Sequence, residues 1–188
     1  EIDNHEEVVE QETEQYANVI DAAAGGAAAG LQLAVNIGAM LIAFVALIAM
    51  LNGLLGWLGG YAGMSELSMQ GILGQLFRPV AFILGVPWSE STIAGSLIGQ
   101  KLVLNEFVAF LDFQAQKELM SAHTQAVVTF ALCGFANFSS IAILLGGLAT
   151  IAPHRRSDVA RMGMRAVTAA FMANLMSAAI AGFFLSLA

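Results

Sequence analysis

Two interruptions in an otherwise apolar sequence hold the residues with chemical potential. The first is GQKLVLNEFVAFLDF at 99–113, where Lys101, Asn105, Glu106 and Asp112 stand among Leu, Val, Ala and Phe. The second is GFANFSS at 134–140, in the middle of TQAVVTFALCGFANFSSIAILLGGLATIA. A carboxylate in apolar surroundings is costly unless it is paired, hydrated or protonated. Glu106 therefore reads either as a ligand- or ion-binding group or as the local ion-pair partner of Lys101, five residues earlier. Asn137 and Ser140 stand at i, i+3 and share one helix face if the helix is continuous there. An amide and a hydroxyl supply donors and acceptors suited to a neutral, hydroxyl-rich ligand; their other common use in apolar helices is interhelical hydrogen bonding. Phe135 and Phe138 flank Asn137, and either can stack on a planar ring or pack against lipid. Asp112 reads as an interfacial residue at the exit of a helical hairpin.

Other chemistries find no support. The single cysteine, Cys133, excludes an internal disulfide and reads as a buried small hydrophobe. His5, His123 and His154 are far apart and lack metal-ligand spacing. There is no HExxH, no GxxxxGK[ST] and no GxGxxG, and no Ser/His/Asp set in a catalytic context. Neither an enzyme nor a cofactor is expected.

The elements that must position these residues are membrane elements. The sequence is 58% hydrophobic and 11% charged, with a mean hydropathy of +0.76. Soluble domains have roughly 45–50% apolar and about 25% charged residues. The net charge of −7 is local: Glu1, Asp3, Glu6, Glu7, Glu10, Glu12 and Glu14 open the chain, and Asp21 follows. Beyond Asp21 six acids face seven bases, which leaves no basic surface for nucleic acid. The sequence starts without Met or a signal-peptide pattern, as expected of a fragment or of a processed or renumbered chain.

The hydropathy pattern predicts an all-α membrane protein with about three transmembrane helices, one of them broken at mid-span, together with a re-entrant helical hairpin and interfacial amphipathic helices. Residues 1–29 read as a cytoplasmic interfacial amphipathic helix, with Val8, Val9, Tyr16, Val19 and Ile20 near one face. Residues 30–61 carry no charge and form a transmembrane helix, with Asn36 and Asn52 near its ends in reach of interfacial water and with Trp57 and Tyr61 as anchors. Residues 66–88 are interrupted at Arg78-Pro79 and read as an outer interfacial helix anchored by Trp88. From Thr92 to Leu104 a helix reaches ~20 Å, too short for a core of about 30 Å. A break at Asn105-Glu106 then returns the chain to the same side, making 89–113 a re-entrant hairpin. Residues 124–152 form the broken transmembrane helix, 153–165 a basic loop and 166–188 the last span. Arg155, Arg156, Arg161 and Arg165 place that loop in the cytoplasm by the positive-inside rule. The first span then begins inside and the C-terminus ends outside.

The run from Gly99 to Phe110 matches G-x-K-x-x-x-N-E-F-V-A-[YF], a pattern similar to the signature of the concentrative nucleoside transporter family. NVIDAAAGGAAAGLQLAVNIGAMLIAF and CGFANFSSIAILLGG resemble the same family. The resemblance covers nearly the whole chain beyond its first fifteen residues. It implies a bacterial, multi-pass inner-membrane symporter for nucleosides, assembled as a homotrimer in lipid. It implies that Glu106, Asn137 and Ser140 hydrogen-bond ribose hydroxyls, with Phe135 near the ligand and Lys101 and Asn105 in support. The family's first hairpin, with its G-Q-[ST]-E motif, is absent. The chain thus resembles a C-terminal half, not expected to transport alone. The resemblance leaves the coupling ion as Na+ or H+ and puts the sodium ligands in the missing N-terminal half. From the residues alone, a carrier of another small polar solute and a non-transporting structural membrane subunit remain as alternatives.

Overall fold

The computed structural model describes residues 16–64, 66–141 and 155–187, and every regular element among them is helical. The chain divides into two units, residues 1–42 and 43–188. Helix α1 runs from Val19 to Tyr61. The break expected near residue 30 is therefore corrected: from Val19 onward the two expected segments are one helix. Ala-rich sequence has the highest helix propensity, and isolated glycines such as Gly25, Gly26 and Gly30 weaken a helix by only about 1 kcal/mol each. The acidic residues 1–14 lie outside the described residues.

Within the second unit, α2 spans Met69–Ile83, α3 Ser91–Val103, α4 Glu106–Gln116 and α5 Ala122–Leu132; a short 3-10 turn at Lys117–Leu119 links α4 to α5. The final helix, α6, spans Arg156–Leu185. Val19–Tyr61 and Ala160–Leu185 are each long and apolar enough to cross a membrane.

Helix α2 starts where two side chains take up its orphan donors: Ser68 Oγ accepts from Gly71 N at 3.2 Å, and Asn52 Oδ1 from Met69 N at 2.8 Å. Asn52 also donates to Gln70 Oε1 at 2.8 Å. Its amide thus pairs with the start of the next helix. Nor does Arg78-Pro79 interrupt α2, which runs through Pro79. Arg78 instead folds over the chain that follows: its guanidinium lies 4.0 Å from the Trp88 ring centroid and donates to the Trp88 carbonyl at 3.2 Å. The helix ends at Gly85, whose φ of +95° closes a Schellman motif, with Val86 N bonded to the Ala81 carbonyl and Gly85 N to the Phe82 carbonyl.

Glycines let α2 and α3 pack backbone to backbone. A Cβ on Gly95 would lie 2.8 Å from Arg78 N and Phe77 C, and one on Gly99 would lie 2.9 Å from Leu73 Cβ. Around this seam Ala81, Leu97, Ile98, Val127, Val128, Leu132 and Ala178 form a sealed core contributed by α2, α3, α5 and α6. A smaller cluster, Ile48, Leu104 and Val108, sets α1 against the α3–α4 turn.

The basic segment 153–165 is corrected from a loop to helix over most of its length, since α6 already begins at Arg156. Asp158 sits between Arg155 and Arg161 at 3.4 Å from each, ion pairs at helical i, i+3 spacing. His5, His154 and residues 142–152 of the broken span lie outside the described residues.

The glycine seam makes a direct prediction. Gly95→Ala should destabilise the protein by about 1–3 kcal/mol, because its Cβ meets backbone that cannot yield. Gly53→Ala, with open space around it, should be neutral or stabilising by up to about 1 kcal/mol. Thermal unfolding of the two purified variants in detergent checks the pair; equal melting temperatures would contradict the close contact.

Candidate functional site

Two helix starts meet at the site, and each is capped by an asparagine. Leu104 and Asn105 leave helical geometry between α3 and α4, Asn105 with extended φ −166° and ψ 168°. Asn105 Oδ1 then accepts from Val108 N at 2.9 Å, so α4 restarts at Glu106. Helix α5 stops at Leu132, and helical backbone resumes at Phe138–Ile141. Asn137 caps this restart: its Oδ1 accepts from Ser140 N and Ser140 Oγ, both at 2.8 Å, and from Ser139 Oγ at 2.7 Å. The helix is not continuous there, so Asn137 and Ser140 do not share one unbroken helical face. They are joined as a cap and its third helical residue. The single Ser140 hydroxyl proton can turn instead to the Phe135 carbonyl, which also lies within its reach.

The two restarts are linked by one hydrogen bond, Asn137 Nδ2 to Glu106 Oε2 at 2.7 Å. Asn137 is only 2% exposed. Glu106 occupies the first turn of α4, where the helix dipole favours an anion. The carboxylate is therefore held by an amide donor and a helix N-terminus. No ion pair within 4 Å joins it to Lys101 among the described residues, although the two opposite charges lie near enough to attract each other. Lys101 is fully buried, its Nζ without a hydrogen-bond partner and 5.4 Å from the Phe171 ring centroid.

Phe135 is 80% exposed beside this pair of breaks. With Ser140 it borders a cavity of about 430 Å³ whose other wall is α6, including Met162, Gly163, Val167 and Asn174. Glu106 and Asn137 are outside that lining. Cys133 is exposed, which corrects its reading as a buried hydrophobe; it stands where α5 has just ended. Asp112 lies within α4 and not at a hairpin exit: its Oδ2 accepts from Gln100 Nε2 at 2.6 Å, holding α3 and α4 antiparallel. Among the described residues no three His, Cys, Asp or Glu side chains gather in a group that could hold a metal ion.

Sequence reasoning passed over Gly134 and Asn174. Gly134 has φ +138°, and a Cβ there would meet Asn174 Nδ2 at 2.6 Å. An amide isolated inside a long apolar helix was the available signal for Asn174. Gln100 was missed too, although it stands one residue from Lys101.

A helical membrane architecture whose polar site is built from interrupted helices is the class defined here. The chain belongs to the Na+ dependent nucleoside transporter family: residues 1–182 match the model described as the C-terminus of that transporter, and the family is one of transporters, not enzymes. It is 59% identical over 174 residues to an uncharacterized transporter, YutK, of Bacillus subtilis, covering 93% of this chain and 43% of that protein. It is 48% identical over 179 residues to the nucleoside permease NupC of Helicobacter pylori, covering 93% of this chain and 43% of that protein. The fold matches a solved structure of CNTnw in an inward-facing substrate-bound state with TM-score 0.89 and 52% identity, over 100% of this chain and 45% of that one. The chain therefore spans less than half the length of the relatives it matches.

Asn105→Ala should cost about 1 kcal/mol through loss of the α4 cap, with Asn105→Asp or Asn105→Ser retaining most of it. Chemical or thermal unfolding of the three variants measures the order; an alanine variant as stable as the aspartate variant would contradict the capping role.

Proposed function

We propose that this chain forms the C-terminal half of an ion-coupled nucleoside carrier and supplies part of its ribose-binding site. The observation that carries the reading is the Glu106–Asn137 hydrogen bond across two interrupted helices. A carboxylate accepts from two adjacent hydroxyls at once, and Asn137 and Ser140 add amide and hydroxyl groups beside it. Phe135, largely exposed at the rim, offers a face to a planar base. Lys101 and Asn105 support the site from within the hairpin, one as a buried charge and one as the cap that creates the restart. On this reading α3 and α4 form a re-entrant hairpin, because irregular backbone at membrane depth survives only when buried in protein or lining a cavity. Residues 66–88 lie at the outer interface, and the arginines at the start of α6 face the cytoplasm of a bacterial inner membrane. The carrier is a homotrimer in lipid, driven by Na+ or H+, with the sodium ligands contributed by sequence preceding this chain. Alternating access moves the hairpin and the broken helix together around the bound solute.

Glu106→Gln in the full native gene product, reconstituted in liposomes, should weaken nucleoside affinity about 10–100-fold, the loss expected for a charge-assisted hydrogen bond. Asn137→Ala should reduce uptake with normal assembly on a sizing column. Uptake and affinity unchanged in Glu106→Gln would remove Glu106 from the site. Failed assembly in Asn137→Ala with intact affinity would favour a purely structural role. Uridine, an amino acid and a dicarboxylate offered in parallel check the substrate class.

A further inference from the structure

A second hydrogen-bonded rung joins the segments that carry Glu106 and Asn137, at their other end. Glu90 occupies the N-cap position of α3 yet makes no capping bond to its own helix. Its carboxylate reaches across instead: Oε2 accepts from Ser121 N and Ser121 Oγ, both at 3.0 Å. Ser121 is the cap of α5, its Oγ accepting from Thr124 N at 3.3 Å. The hydroxyl of buried Thr124 is the strongest influence holding the Glu90 carboxyl below its usual range, with Ser121 and His123 adding to it against the opposing effect of burial. The rung is therefore charged at neutral pH, and it lies at the starts of two helices, where the dipoles favour an anion. Both rungs link residues 31 positions apart, Glu90 to Ser121 and Glu106 to Asn137. Glu90 and Ser121 thus stand equally far ahead of the two site residues, with α3 filling one interval and α5 the other. Between the rungs, Ala94, Leu97 and Ile98 of α3 are buried in one core with Val127, Val128 and Ala131 of α5.

We propose that Glu90 and Ser121 are positioning residues for the nucleoside site, fixing the register of α3 against α5 so that Glu106 and Asn137 meet at the far end. Apolar packing is non-directional and by itself tolerates small slides of one helix along another. A helix is stiff along its axis, since each turn is bonded to the next. Pinning the start of α3 to the start of α5 therefore sets where each of them stops, ~20 Å away in the case of α3. The Glu106–Asn137 bond is 2.7 Å long, and a slide of about 1 Å would carry it beyond hydrogen-bonding distance. Glu90 lies a whole helix away from Glu106, so it acts on a bound solute only through this geometry. The effect on uptake rests on the nucleoside reading, whereas the effect on the two breaks does not.

The geometric part is read without nucleoside. Amide hydrogen exchange of the full native gene product in detergent follows the capped amides of Val108 and Ser140, one at each break. Glu90→Ala should speed exchange at both by about threefold or more. Glu90→Gln keeps an acceptor oxygen and should retain most of the protection. Ser121→Asp keeps a cap for α5 but sets a second carboxylate against Glu90, and should behave like Glu90→Ala. In proteoliposomes, Glu90→Ala should weaken nucleoside affinity about fivefold, the factor expected from one lost cap. The same substitution added to Asn137→Ala should cost less than about twofold more, because the rung acts through Asn137. Unchanged exchange at the two breaks in Glu90→Ala would overturn the proposal. So would exchange that rises equally over every helix, or an affinity loss that adds in full to that of Asn137→Ala. Exchange that responds as expected while Glu106→Gln leaves affinity unchanged would sustain the register role and count against the nucleoside reading alone. Should Glu90→Ala not purify as a folded protein, Ser121→Asp compared with Glu90→Gln decides the exchange measurement.

Discussion

One hydrogen bond, from Asn137 to Glu106, ties together two of the places where the described residues leave regular helix. Interrupting a helix in apolar surroundings exposes backbone donors and acceptors that no water is there to satisfy. Each break is tolerable because a side chain replaces the missing partner at the restart. Asn105 does so for α4, and Asn137 for the helix resuming at Phe138. The two restarts are helix N-termini, so both bring partial positive charge to the neighbourhood of the Glu106 carboxylate. The acid is held by the architecture of the breaks themselves.

The remainder of the fold keeps those breaks in register. The glycine seam between α2 and α3 brings two backbones into contact, leaving little freedom for α3 to slide before it stops at Val103. Gln100 and Asp112 pin the returning helix α4 to it. On the other side, a Cβ at Gly182 of α6 would lie 2.8 Å from Val127 of α5, so these helices are also close-packed. Both interrupted segments are therefore flanked by tight contacts of continuous helix, and the irregular residues inherit their positions from rigid neighbours. A carboxylate and an amide on mobile loops would not hold a fixed 2.7 Å separation.

Much of this was legible in the sequence, for identifiable reasons. Charged and amide residues inside long apolar runs stand out because hydrocarbon penalises them, and that penalty singled out Glu106 and Asn137 before any coordinates. Helix length against membrane thickness put a break near Asn105, and the chain leaves helical geometry at Leu104 and Asn105. The failures share a cause: they concern partners remote in sequence. Lys101 looked like the partner of Glu106 because it is near in sequence, yet the partner is 31 residues away. Asn52 looked like an interfacial residue because it sits near a span's end, yet it caps α2. Pro79 looked like a terminator because local rules make it one, yet tertiary contacts to Trp88 and α3 carry the helix through it. Arg156, Arg161 and Arg165 looked like a loop because they are charged, although none of them opposes helix formation.

The choice of asparagine at both restarts follows from what the site must do with a single side chain. At position 137 the side-chain oxygen is fully engaged as a cap while the nitrogen donates to Glu106. Serine and threonine also cap well but have only one short hydroxyl for both tasks. Aspartate caps well too, yet has no donor and would set a second negative charge against Glu106. Asn137 thus leaves the carboxylate singly occupied on one oxygen, with acceptor capacity to spare. On the proposed reading an arriving pair of hydroxyls finds that capacity already oriented. It need not displace the bond that holds the two breaks together, so binding draws on an arrangement the fold has made in advance.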